Sequence, residues 1–376
     1  MKKISDLVPE HVRAMSAYVP GKPVRQAERE SGVRCIKMAS NENPFGPSPL
    51  AIAAIRQAAT GVNFYPDNDA NELRLLLADH HDVQPEQILV TDGSTALIDI
   101  VARTLLAPGL NAVTSQRSFI IYPIVTRAAG GRLVEVPMRD DCFDLDGILA
   151  AIDSETRVVY IANPNNPTGT MFYADALEAF ISRVPEHVMV VLDEAYSDYA
   201  EFYARKSQQT YSRSLDYVRQ GRQNIVVLRT FSKAHGLAGL RIGYGMGDPQ
   251  MLRYFAQMRT AFSVSVVAEA GAVAALKDEA HVRLSLERNA EGVEYLTPRL
   301  QEMGFRVVPT CANFIYLETR EDPTGLAHRI QAEGCIIRSL APWGIPNALR
   351  ISVGTPEQNR ILMKAITRVL GKVSVR

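Results

Sequence analysis

Apolar residues fall along this chain in two alternating kinds of run. Short blocks rich in Val, Ile and Leu, bounded by polar or turn residues, stand at 87–91 (QILVT), 111–115 (NAVTS), 132–137 (RLVEVP), 157–163 (RVVYIAN), 188–193 (VMVVLD) and 224–229 (NIVVLR). Their length and composition predict buried strands. Helical spacing occupies the stretches between, at 51–59, 69–80, 95–106, 174–184 and 249–260. Strand and helix in alternation predict an α/β fold, a mostly parallel sheet covered by helices. The tail differs: a long helix at 279–303 leads into RVVPT and FIYLE, a helix at 323–333, then IIRSL and LRISVG and a last helix at 356–370. That order suits a smaller α+β domain. The expected division is a large domain at 45–270, with Gly46, Pro47 and Pro49 at its start, and a small one built from 271–376 with 1–44 as N-terminal arm.

Charge and cysteine usage narrow the classes. Forty-one basic residues face 41 acidic ones, interspersed through 376 residues, so no basic stripe predicts nucleic-acid binding. Cys35, Cys142, Cys311 and Cys335 form no C-x-x-C pair, which predicts neither a disulfide framework nor a metal site. The opening MKKISDLVPEHVRAM lacks the apolar core of a signal peptide, and no apolar run reaches the ~20 residues that span a bilayer. A cytoplasmic enzyme without membrane contact is expected.

The chemistry concentrates beyond strand ends, where α/β sheets collect ligands. After NIVVLR comes RTFSKAHGLAGLRIGYG, residues 229–245. A lysine among small and apolar residues is expected to be partly desolvated, which suits its amine to attack on an aldehyde. Arg241 lies eight residues beyond Lys233, with Gly236 and Gly239 between them to let the backbone fold a phosphate there. The string resembles the lysine signature of fold-type I aminotransferases, S-K-x-x-x-x-x-G-x-R-x-G, and is most similar to the histidinol-phosphate aminotransferase branch. The resemblance implies a seven-stranded sheet, pyridoxal 5'-phosphate (PLP) as cofactor and Lys233 as its Schiff-base lysine.

Three further segments fit that reading. In VMVVLDEAY an apolar run carries Asp193 to a strand end, where a buried carboxylate needs a cationic partner; a pyridinium N–H is one. The resemblance sends the Tyr196 hydroxyl to the cofactor's phenolic oxygen, along with Asn166 from the turn NPNNPTG; the residues alone leave Asn165 open. Asp92-Gly93-Ser94-Thr95 precedes a helix, whose start binds phosphate through backbone N–H groups, and Thr230, Ser232 and Arg241 would complete the cup. No G-x-G-x-x-G turn follows a strand, which disfavours a nicotinamide cofactor. Phe119, in SFIIYP, takes the place where the family stacks an aromatic ring on the cofactor, with an apolar core role as the competing reading.

On the substrate side Arg338 and Arg350 fall on adjacent strand-like segments. Arg350, in LRISVG, resembles the arginine that grips an α-carboxylate through a bidentate fork; Arg338 resembles one near the distal phosphate. By the same likeness Tyr18 borders the distal group, Asn43 lines the substrate site, and Tyr65 reaches the cofactor phosphate of a neighbouring subunit, which implies a homodimer. The implied reaction is transamination of histidinol phosphate with 2-oxoglutarate/glutamate, a step of histidine biosynthesis. Alternatives are an aromatic amino acid aminotransferase, a threonine-phosphate-type decarboxylase and a non-catalytic PLP-binding regulator. His235 reads as a loop histidine. The pair His80-His81 ends a helix, where protonated imidazoles would complement the dipole.

Overall fold

The computed structural model describes residues 4–15, 17 and 20–371. Thirteen strands occur among them. They are β1 (Ile36–Lys37), β2 (Ile88–Thr91), β3 (Asn111–Ser115), β4 (Arg132–Val136), β5 (Thr156–Ala162), β6 (Met189–Asp193), β7 (Ile225–Thr230), β8 (Gly243–Gly247), β9 (Arg306–Val307), β10 (Phe314–Glu318), β11 (Cys335–Ile336), β12 (Arg338–Ser339) and β13 (Ala348–Ser352). Seven of them form one sheet in the order β2-β8-β7-β6-β5-β3-β4. Every neighbouring pair is parallel except those of β8, which runs antiparallel to both β2 and β7. The strands β2, β3 and β6 are buried at every position, as expected of a sheet covered on both faces.

Strand β8 is the element the apolar pattern does not announce, because its sequence is GYGMG. Glycine is depleted in strands, and here packing demands it. A Cβ on Gly243 would lie 2.6 Å from the Ser94 amide nitrogen, and one on Gly245 would lie 2.3 Å from Leu97 Cδ2. The bare strand thus lets the helix Ser94–Leu105 settle against the sheet. Several helices start where a short polar cap precedes proline: the Ser48, Asp248 and Asp322 side chains each accept from backbone N–H groups of the first turn, with Pro49, Pro249 and Pro323 at the first helical position.

The tail builds a second, antiparallel sheet, β12-β13-β10-β9, and β1 pairs in parallel with β11. The helix Glu279–Glu302 and the last helix, Pro356–Gly371, join it through Leu296, Leu300, Leu362 and Ile366, a core separate from the one around the large sheet. The large core runs on through Leu276 in the helix Val266–Leu276, which packs on Pro49–Ala58. Among the described residues no helix is long and apolar enough to cross a membrane.

Candidate active site

The carboxyl ends of β2, β3, β5, β6 and β7 converge on a cavity of about 640 Å³, and Lys233 lines it. The turn carrying Lys233 is closed by bonds from Gly236 N to Lys233 O (3.0 Å) and from Leu237 N to Phe231 O (3.0 Å). Gly236 sits at φ +72°, where a Cβ would lie 2.5 Å from Gly46 O, so only glycine lets the two loops touch there. The Lys233 ammonium lies 5.5 Å from the centre of the Tyr196 ring.

One end of the cavity is a cup of donors. The helix Ser94–Leu105 points its N-terminus into it, with Ser94 and Thr95 on the wall. Arg241 adopts the left-handed conformation and donates to Ser232 Oγ (3.3 Å) and Ala238 O (3.1 Å). The Thr230 hydroxyl bonds Ser232 Oγ at 3.0 Å. Gly93, at φ +116°, leaves room for the guanidinium: a Cβ there would lie 2.7 Å from Arg241 Nη2. Guanidinium, two hydroxyls and a helix start make an anion site.

Asp193, 5% exposed, lines the same cavity. Burial pushes its carboxyl up to about 6, against the opposing pull of the Tyr122 hydroxyl, the Ala195 N–H and the Lys233 charge. Tyr122 donates to Oδ2 at 2.8 Å and Ala195 N to Oδ1 at 3.2 Å. Such a carboxyl ionises fully once a cationic N–H faces it. Tyr196 takes a bond from Asn41 Nδ2 (2.9 Å). Asn166 lines the cavity, whereas Asn165 is spent on the loop itself, donating to Arg117 O and Thr168 Oγ1 and accepting from Ser118 Oγ. Phe119 is both a cavity wall and a partly buried neighbour of the core, meeting Tyr122 edge-on at 5.7 Å.

A smaller lobe of about 190 Å³ shares Phe119, Asn166, Tyr196 and Lys233 with the main cavity and adds Arg338, Trp343 and Arg350. Arg338 and Arg350 face each other directly across β12 and β13. Arg350 donates to Asn166 Oδ1 and, at 2.9 Å, to Ala39 O. Both arginines are buried, and each guanidinium lies within 6 Å of the Trp343 ring centre (5.7 and 5.3 Å).

Other expectations shift. Asn43 does not line either cavity. Its amide donates to Ala234 O and Ser285 Oγ and its carbonyl accepts from Phe45 N, so it ties the arm to the lysine loop while Ser40, Asn41 and Glu42 take the cavity walls. Tyr65 is 83% exposed, lies against Phe262 at 4.9 Å and joins neither cavity of its own chain. Tyr18 lies outside the described residues. His81 is no dipole partner: burial lowers its pKa to about 2, leaving a neutral ring bonded to the Tyr244 hydroxyl at 2.8 Å. His235 packs on Phe231 and lines a separate cavity of about 690 Å³ between the helices Ser197–Lys206 and Glu279–Glu302. Sequence reasoning passed over Tyr122, Asn41 and Trp343; Tyr122, three residues after Phe119, carried the best available signal.

Comparison with known proteins finds matches along nearly the whole chain. Residues 33–366 match the family aminotransferase class I and II. The histidinol-phosphate aminotransferase of Moorella thermoacetica is 41% identical, over 96% of this chain and 92% of its own. Histidinol-phosphate aminotransferase 2 of Pseudomonas fluorescens is 43% identical, over 96% of each. The crystal structure of histidinol-phosphate aminotransferase from Sinorhizobium meliloti in complex with pyridoxal-5'-phosphate superposes with a TM-score of 0.87 at 30% identity, covering 97% of this chain and 98% of that one.

Proposed function

This chain belongs to the class I and II aminotransferases, and we propose that it is a PLP enzyme exchanging the amino group of histidinol phosphate with 2-oxoglutarate/glutamate. The observation that carries the reading is an amine, Lys233, lining one cavity together with a cup of donors and a buried carboxyl. That donor set complements PLP at both ends: phosphate in the cup, ring nitrogen at Asp193. The names of its relatives support histidinol phosphate as the substrate.

When bound, PLP supplies an aldehyde and an electron-withdrawing ring able to hold the electron pair left as the substrate's α hydrogen departs. Gly93, Ser94, Thr95, Thr230, Ser232 and Arg241 hold the phosphate. Asp193, braced by Tyr122, keeps the proton on the ring nitrogen. Asn166 and Tyr196 would serve the phenolic oxygen, and Phe119 would cover the ring. Lys233 would hold the aldehyde through Nζ and, as a free amine, would move the proton at the substrate's α carbon. Arg350 and Arg338 hold the substrate's anionic groups.

We read the enzyme as a cytoplasmic homodimer in which Tyr65 reaches the partner's cofactor phosphate. An exposed apolar patch of Val62, Phe64, Tyr65 and Phe262 supports the pairing, and four unpaired cysteines suit a reducing compartment. Separate apolar cores support the two-domain division at 45–270 and 271–376 with 1–44, although the large core's extension to Leu276 favours a break after the helix Val266–Leu276. The aromatic wall of Phe119, Tyr196 and Trp343 favours one second reading, an aromatic amino acid substrate. A half-reaction panel separates them. Histidinol phosphate should convert the cofactor's absorbance to the pyridoxamine form faster than phenylalanine or tyrosine; the reverse order would promote the second reading.

A further inference from the structure

Arg338 and Arg350 are register partners on an antiparallel pair, so their side chains leave the same face, and both are buried. Like charges placed directly opposite repel, the more so with little water between them. Among the described residues, Trp343 lies against both. The turn Ala341–Trp343 leads out of β12 toward β13 and is pinned to Leu340 O by Trp343 N (2.8 Å) and Ile345 N (3.2 Å), with Gly344 following at φ +79°. From there the indole ring meets the Arg338 guanidinium at 5.7 Å and that of Arg350 at 5.3 Å; Phe314 takes Arg350 from another side at 5.4 Å. The negative face of an aromatic ring attracts a guanidinium, more strongly where water is excluded. The indole N–H is buried and bonds no acceptor among the described residues, while the ring meets both guanidiniums.

We propose that Trp343 is a positioning residue for substrate oxyanions, its ring fixing Arg338 and Arg350 as a pair on the small lobe so that a carboxylate or phosphate meets two oriented guanidiniums. This rests on the transaminase reading, and it adds a residue that does not itself need to touch the substrate. Two weakened ring contacts amount to roughly a tenfold loss in substrate binding.

The test uses the cofactor-loaded protein. Trp343→Leu should raise KM for glutamate and histidinol phosphate roughly tenfold while kcat stays within about twofold, and Trp343→Phe, which keeps a ring without the N–H, should recover most of the loss. An unchanged KM in Trp343→Leu, or a phenylalanine variant as poor as the leucine one, overturns the proposal. A second readout needs no variant at this position. Trp343 is the only tryptophan in the chain, so its emission reports the pair directly. Titration with succinate and with inorganic phosphate, neither carrying an amino or keto group, separates carboxylate from phosphate binding. A saturable emission change that Arg338→Ala abolishes supports the proposal, and a silent emission in protein that transaminates overturns it. Failure of the wild-type protein to hold PLP would overturn the parent reading instead.

Discussion

At the scale of single residues, two buried groups make opposite demands on pH. Asp193 is held near 6 by burial, above the carboxylate's usual 3.8. A raised carboxyl pKa means the folded chain resists ionisation, so a penalty grows as pH rises from about 4 and is complete above the folded value. Two units correspond to about 3 kcal/mol. In cofactor-free protein, Asp193→Asn should therefore match wild type near pH 4 and exceed it by roughly that amount near pH 7. Urea denaturation across pH measures the difference, and a flat difference contradicts the assignment. The same variant should lose most activity, since the ring nitrogen loses its carboxylate. His81 works the other way. Its folded pKa of about 2 lies below the usual 6.5, so stability falls as pH drops below 6.5 and the unfolded chain alone takes up the proton. His81→Gln should flatten that slope, at most about 1.4 kcal/mol per pH unit, in the same titration.

Among the elements, the glycine strand β8 and the helix Ser94–Leu105 decide how the phosphate end is built. A Cβ on Gly243 would strike backbone, Ser94 N at 2.6 Å and Arg229 O at 2.9 Å, whereas one on Gly245 meets the far end of Leu97, which can rotate. Gly243→Ala should cost about 2–3 kcal/mol and weaken PLP binding by displacing the helix start; Gly245→Ala should cost less and leave the cofactor in place. Denaturation and cofactor titration rank the two, and an inverted order would be wrong for this packing. The strands around the site were legible in the sequence because continuous apolar runs ending in Asp193, Arg229 or Thr91 mark buried strands directly. Strand β8 was not, since its glycines answer to a helix distant in sequence. That Arg338 and Arg350 lie on adjacent strands could be read from two strand-like segments close together, but their facing register could not. Tyr122 on Asp193, Asn41 on Tyr196 and Trp343 on the arginines could not, for each joins segments whose approach only the folded chain sets.

For the whole molecule, the arrangement of parts carries the functional claim. The seven-stranded sheet supplies cup, carboxyl and lysine, the small sheet supplies the arginine pair, and the arm residues Ser40 and Asn41 bridge them. Tyr65 is exposed in one chain, and the role proposed for it requires a second. Tyr65→Ala should lower PLP affinity roughly tenfold, as loss of a hydrogen bond to a charged phosphate does. Mixing Tyr65→Ala with Lys233→Ala subunits should regain activity, because one hybrid site then combines an intact lysine with an intact tyrosine. Hybrids no more active than their parents would place Tyr65 outside the partner's site.

The most direct measurement concerns the lysine itself. Borohydride reduction of the PLP-loaded protein, followed by peptide mass analysis, should leave the cofactor fixed on Lys233, and Lys233→Ala should take no label and lose the yellow absorbance. A label carried by another lysine, or by the alanine variant as readily as by wild type, would contradict the account.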